Sequence, residues 1–146
     1  MSNQGRQRPI RTLECPRGTA YEEELFHYLL AIERARAEHS KHPLRLLLAT
    51  MEPVPGRPVP IPQASATRLF EAFRVSLRET DVIGWYRQGR VAGAVLSESA
   101  AAHGTETSGL IEQRVGEELR ERLPSSVARS MRLRVTQQGP RRWLSG

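Results

Sequence analysis

The sequence predicts an α/β protein: a sandwich in which helices pack on a central, mostly antiparallel sheet of about four strands. Three observations lead there. Apolar residues recur at helical spacing in three separate stretches. Short apolar runs bounded by proline or turn residues stand between and after them. One pair of runs is joined by the tight tip Gln88-Gly89, the length of a hairpin turn. In chain order the pattern is helix, strand, helix, hairpin, helix, strand, which closes around one core.

Residues 1–18 form a polar, basic lead-in without periodicity. From Ala20 to His39 the residues Leu25, Leu29 and Ile32 share one helical face, widened by Phe26 and Leu30. Glu22, Glu23 and Glu24 occupy the first turn, where the helix dipole favours negative charge. The run Leu44 to Met51 lies between Pro43 and Pro53 and predicts a buried central strand. Pro53 to Pro62 (PVPGRPVPIP) holds five prolines, so an extended loop of polyproline character is expected. Helical spacing resumes at Ser65, an expected N-cap, with Leu69, Phe73 and Leu77 on one face and Phe70 beside them. Strands follow at Val82 to Arg87 and Arg90 to Glu98. Ala92, Gly93 and Ala94 in the second suit close packing under a helix. Ser99 to Ser108 reads as a loop containing His103, and a third helix carries Ile111, Val115 and Leu119 before Pro124 ends it. The last strand, Met131 to Gln137, alternates Met131, Leu133 and Val135 inward with Arg132 and Arg134 outward. Residues 139–146 form a basic tail.

At 146 residues the chain has the length of one domain. Its 38% hydrophobic and 26% charged content excludes wholesale disorder. No run approaches the ~20 apolar residues of a membrane span. Ser2 to Arg11 is polar and basic with no apolar segment behind it, so no secretory leader is expected and the cytoplasm is the predicted address. Cys15 is the only cysteine, which rules out a disulfide framework within the chain. The net charge is +6, and Lys41 is the only lysine among 22 basic residues. Arginine suits bidentate phosphate contacts, although nucleotide composition of the gene would produce the same bias. Arg6, Arg8, Arg11 and Arg17 precede the first helix, and Arg132, Arg134, Arg141 and Arg142 close the chain. Basic arms attract nucleic acid, but solvated, inert tails are the commoner account of them, and the aromatics that single-strand binding needs are not interleaved.

Patterns that carry chemistry are scarce. His27, His39, His42 and His103 stand at no ligand spacing to one another, to a carboxylate or to Cys15. Neither a Walker loop nor a Gly-x-Gly-x-x-Gly turn occurs. Residue chemistry alone yields no catalytic site and calls for no cofactor.

The order of motifs is more informative. Phe26 to Glu52 (FHYLLAIERARAEHSKHPLRLLLATME) resembles the opening of the GGDEF family, the bacterial diguanylate cyclases, in which a helix leads to an aliphatic strand ending in Asp-x-Asp. Arg78-Glu79-Thr80-Asp81 and Val82-Ile83-Gly84-Trp85-Tyr86 resemble the approach to that family's signature hairpin. Where GGDEF should stand, the chain has Arg87-Gln88-Gly89-Arg90-Val91. The resemblance runs from about residue 20 to residue 138. It implies a domain at 19–138 of nucleotidyl-cyclase type, C-terminally truncated because the family's final helix has no counterpart.

The departures bear on activity. Acids of Asp-x-Asp and GGDEF hold the metal ions that bridge GTP phosphates in the family. Here Thr50 and Glu52 fall at the first positions, Gly89 and Arg90 at the second. An arginine cannot ligate a divalent cation and repels it. Metal-assisted phosphoryl transfer needs that cation, so the resemblance implies a pseudoenzyme.

One motif of the family survives. Arg78 and Asp81 match the Arg-x-x-Asp that, in many members, binds cyclic di-GMP as an inhibitory product; a further arginine often assists there, and Arg114 is the candidate. A guanidinium forks onto phosphate or the guanine Hoogsteen edge, and a carboxylate accepts from guanine N1 and N2. The same pair can also be a helix end and its local partner. Three readings stay open: a regulatory module with cyclic di-GMP or with a protein partner or second copy as ligand; a metal-independent phosphate binder using Arg87 and Arg90; and a nucleic-acid binder. Signalling through cyclic di-GMP, including control of exopolysaccharide production, is what the resemblance implies.

Overall fold

The aliphatic run that begins at Leu44 is the axis of the sheet. A computed structural model describes residues 12–15, 18–96 and 107–138. Its elements are β1 (Thr12–Cys15), β2 (Gly18–Tyr21), α1 (Glu23–Ser40), β3 (Leu44–Val54), β4 (Arg57–Val59), α2 (Gln63–Ser76), β5 (Val82–Arg87), β6 (Val91–Leu96), α3 (Ser108–Arg122), α4 (Ser125–Ser130) and β7 (Met131–Gln138). The strands lie in the order β1-β2-β5-β6-β3, and β7 flanks β3 from Leu44 to Met51. Met51 meets Met131 across one edge and Val59 across the other. The short β4 therefore sits on the β6 side, beyond the point where β6 stops. Within this sheet, β3-α2-β5-β6-α3-β7 forms an antiparallel split β-α-β arrangement ordered β7-β3-β6-β5. Among the described residues only β2 pairs in parallel, through Tyr21 opposite Gly84.

The α+β class holds, but among the described residues the sheet has seven strands rather than about four. Two of the additional strands arise in or beside the expected lead-in, where β1 and β2 form a hairpin. Four-residue strands are too short for alternation to register. A third arises in the proline-rich segment, which folds as the β3–β4 hairpin rather than as a polyproline loop. Gly56 turns it at φ 81°, and the register shifts between Met51 and Val54, where Pro53 has no amide to donate. The first helix starts at Glu23 because Ala20 and Tyr21 belong to β2, and the second starts at Gln63 behind Pro62, ahead of the expected Ser65. Past Pro124 the chain forms the short α4, which has no apolar stripe to announce it. The expected loop at residues 99–108, with His103, falls mostly outside the described residues, as do the extension of the hairpin strand to Glu98, residues 1–11 and the tail from Gly139.

Alternation along the strands sorts two cores. Leu47, Ala49, Ile83, Trp85, Ala92 and Ala94 face α2 and α3, which contribute Leu69, Phe70, Phe73, Ile111, Val115 and Leu119. The rings of Phe70 and Trp85 meet edge to face at 5.1 Å. On the opposite face, Leu44, Leu46 and Val95 pack under Phe26 and Leu30 of α1. Tyr86 points there too, against Phe26 and His27. The adjacent rings of Trp85 and Tyr86 thus split between the faces, as strand geometry requires.

α1 approaches closely because β5 and β6 place Gly84 opposite Gly93. A Cβ on Gly93 would lie 3.1 Å from the Phe26 ring, and one on Gly84 would lie 2.5 Å from the Tyr21 carbonyl oxygen. The pair makes a flat seat for Phe26. Gly84→Ala should therefore cost about 2–4 kcal/mol in urea unfolding, because backbone rather than a flexible side chain must move. Gly109→Ala, with nothing within 4 Å, should be neutral or stabilise by up to about 1 kcal/mol. Equal effects at the two positions would remove the close-approach argument.

Candidate functional site

The hairpin tip is a tight turn in which the Arg90 amide donates to the Arg87 carbonyl at 2.9 Å. Gly89 supplies the left-handed backbone at φ 74°. Its carbonyl accepts from the Ile61 amide at 2.8 Å, so the segment entering α2 closes against the tip. Arg87, Gln88 and Arg90 are exposed. Gln88 turns back onto α1. Its side-chain oxygen accepts from the Glu23 amide at 2.9 Å, while the Glu23 carboxylate accepts from the Gln88 amide at 2.7 Å. Glu22, the N-cap residue of α1, makes no side-chain cap bond, so the orphan donor is satisfied from 65 residues away. His27 Nε2 lies 2.8 Å from the Tyr86 carbonyl oxygen, a second tie between α1 and the hairpin. Glu22, Glu23, Glu24, His27 and Gln88 line a cavity of about 460 Å³.

Thr50 and Glu52 lie near the end of β3, on the face shared with α1. The ladder row through Thr50 runs Arg87, Val91, Thr50, Arg132 across four strands. Glu52 is committed to the β3–β4 hairpin: it accepts from the Thr50 hydroxyl at 3.1 Å and from the Gly56 amide at 3.1 Å. Arg132 Nε stands 3.8 Å from the same carboxylate. Among the described residues no three His, Cys, Asp or Glu side chains gather where they could hold a metal ion. His39 is in the exposed last turn of α1, and His42 Nδ1 lies 3.3 Å from the Ser40 hydroxyl.

Arg78 and Asp81 sit in the turn between α2 and β5. The Asp81 amide donates to the Arg78 carbonyl at 3.0 Å, and Asp81 Oδ2 accepts from the Arg78 amide at 2.8 Å. Asp81 is only 7% exposed and Arg78 is exposed. Arg114, far along the chain on α3, joins them: its Nε–H donates to the Ser76 carbonyl at 3.2 Å, two residues before Arg78. All three residues named from the sequence are thus gathered at the C-terminal end of α2. The tip residues Arg87 to Arg90 lie at the other end of β5 and form a separate surface.

The sequence reading missed the role of one tip residue and missed another residue altogether. Gln88 was notable only as a tip residue, and its cap of α1 depends on tertiary docking that no local pattern encodes. Glu112 accepts from the Val135 amide of β7 at 2.8 Å; its sequence signal is that of any exposed helix carboxylate.

No protein-family profile matches this chain, and no curated protein is significantly similar to it. Among the described residues no helix is long and apolar enough to cross a membrane.

The reciprocal bonds between Gln88 and Glu23 form a unit. Gln88→Ala and Glu23→Ala should each lower stability by about 1 kcal/mol, and the double variant should cost clearly less than their sum. Strict additivity in a chemical-denaturation cycle would mean that the two bonds act independently.

Proposed function

We propose that this chain is a catalytically inactive GGDEF-like regulatory domain of the cytoplasm that binds cyclic di-GMP through Arg78, Asp81 and Arg114. The observation that carries this reading is the hydrogen bond from Arg114 to Ser76, which brings a second guanidinium to the turn holding Arg78 and Asp81. Two arginines suit the two phosphates and the Hoogsteen edge of a guanine, and a carboxylate suits guanine N1–H and N2–H. Arg90 and Gly89 at the tip, with Glu52 tied to its own hairpin and Glu23 to the Gln88 amide, support the loss of turnover, because the positions of the family's metal acids offer no uncommitted carboxylate to a divalent ion. No cofactor is required.

A second reading has one observation in its favour. Arg87 and Arg132 share the ladder row through Thr50, so fixed guanidiniums flank the position of the family's metal acids. On that reading the tip holds a phosphate without magnesium.

Calorimetric titration of the full chain with cyclic di-GMP, GTP and a short DNA, each with and without magnesium, separates these readings. The first expects saturable, magnesium-independent binding of cyclic di-GMP, weakened roughly ten- to a hundredfold by Arg78→Ala or Arg114→Ala. The second expects GTP binding abolished by Arg90→Glu. A flat trace with cyclic di-GMP at high concentration defeats the first, and formation of a cyclic dinucleotide from GTP above background defeats both.

A further inference from the structure

We propose that the outer edge of β7 is a docking site for an extended partner peptide in which acidic and apolar residues alternate. Among the described residues β7 pairs with β3 alone, so it is an edge strand. The Val135 amide points away from β3, because it donates to Glu112 on α3. In an antiparallel ladder outward groups recur at every second residue. The amides and carbonyls of Leu133 and Gln137 therefore face outward with those of Val135, a template for one more strand.

The side chains on either side of this edge specify what such a strand must carry. On the helix-covered face, Met131 and Leu133 border a groove of about 410 Å³ that also includes Gly109, Gly116 and Leu119. On the opposite face stand Arg132 and Arg134, both exposed. Arg120 adds a guanidinium at the rim of the groove, where it and Leu133 lie within 4 Å of the same point beside Gly116. Among the described residues neither Arg120 nor Arg134 forms an ion pair, and Arg132 reaches only Glu52 at 3.8 Å. A strand added to β7 alternates its side chains between these two environments. One set meets apolar Met131 and Leu133, and the other meets arginine. Charge complementarity thus selects an acidic partner and strand periodicity spaces its acids two residues apart.

Glu112 acts as a guard on this edge. By accepting the Val135 amide it occupies the central donor that an incoming carbonyl would take, and an incoming strand must displace it. A carboxylate placed there also repels an acidic strand until it swings away. The site is independent of the Arg78 turn, so nucleotide binding and peptide binding can fail separately.

The test uses the full chain and labelled synthetic peptides as long as β7: one alternating valine and glutamate, one alternating valine and lysine, and one with the same residues as the first arranged in two blocks. Fluorescence anisotropy should show saturable binding of the first alone. Arg134→Glu or Arg132→Glu should weaken it roughly two- to fivefold per reversed arginine, and Glu112→Ala should strengthen it. Amide hydrogen exchange at Leu133 and Val135 should slow in the complex, while Arg78→Ala should leave the affinity unchanged. The proposal is overturned if no peptide binds, if the acidic and basic peptides bind alike, or if binding leaves those two amides unprotected. Self-association of the chain through β7 that excludes the peptide would overturn it as well, by assigning the edge to a second copy.

Discussion

The seat that Gly84 and Gly93 make for Phe26 governs how α1 lies on the sheet, and much of the molecule depends on where α1 lies. With a Cβ at Gly93 the Phe26 ring, and α1 with it, would have to give by a few tenths of an ångström, and at Gly84 the Tyr21 backbone would have to move as well. The Phe26 ring would then lose the dispersion contacts that a close-packed interior supplies. Lifting α1 would also withdraw the Glu23 amide from Gln88 and His27 from the Tyr86 carbonyl. A steric fact at the middle of two strands therefore fixes the electrostatics at their tip. The tip, in turn, is braced from the other side by Ile61, whose amide reaches Gly89. The arginine-bearing turn is held between α1 and the entry to α2, so its guanidiniums project from a rigid base.

How much of this could be read from the sequence follows from the range over which each signal acts. The central strand, the β5–β6 hairpin and the three long helices were legible because burial imposes a period of 2 or 3.6 on consecutive residues. The small residues at Ala92, Gly93 and Ala94 announced a helix lying close above them, and Phe26 is that contact. The β1–β2 hairpin was not legible, since its strands hold four residues each. The β3–β4 hairpin was hidden by its prolines, which local rules assign to loops. In the folded protein Pro58 sits in a three-residue strand whose missing amide is tolerated at an edge. At the candidate site the turn of Arg78 and Asp81 was legible as a motif. Arg114 is pointed to by the resemblance alone, and its approach to that turn follows from the packing of α3 along α2.

Arginine at the hairpin tip decides what kind of site the tip can be. A metal site stores its charge in a mobile ion that is bound and released with substrate. A guanidinium carries its charge permanently on a tether, with a planar array of donors. Such a group can recognise a phosphate but cannot lower the barrier to its transfer by bridging attacking and leaving oxygens. Glu52 has a structural role as well. Its carboxylate closes the β3–β4 hairpin through the Gly56 amide, accepts from Thr50 within β3 and faces Arg132 on β7, so its oxygen atoms serve contacts within the sheet.

α3 links the two surfaces to which recognition has been assigned. Glu112 and Arg114 are two residues apart, so their side chains leave the helix about 200° from each other. One reaches across to the β7 edge, the other to the end of α2 beside Arg78. A ligand that draws Arg114 away from the Ser76 carbonyl acts on the same helical turn that holds Glu112 on Val135. Proximity alone does not make coupling; a free-energy difference does, and it must be equal in both directions. The two bonds leave opposite sides of a fifteen-residue helix, so either can be lost while the other stays, and the two surfaces are separate sites unless a ligand at one changes the affinity at the other.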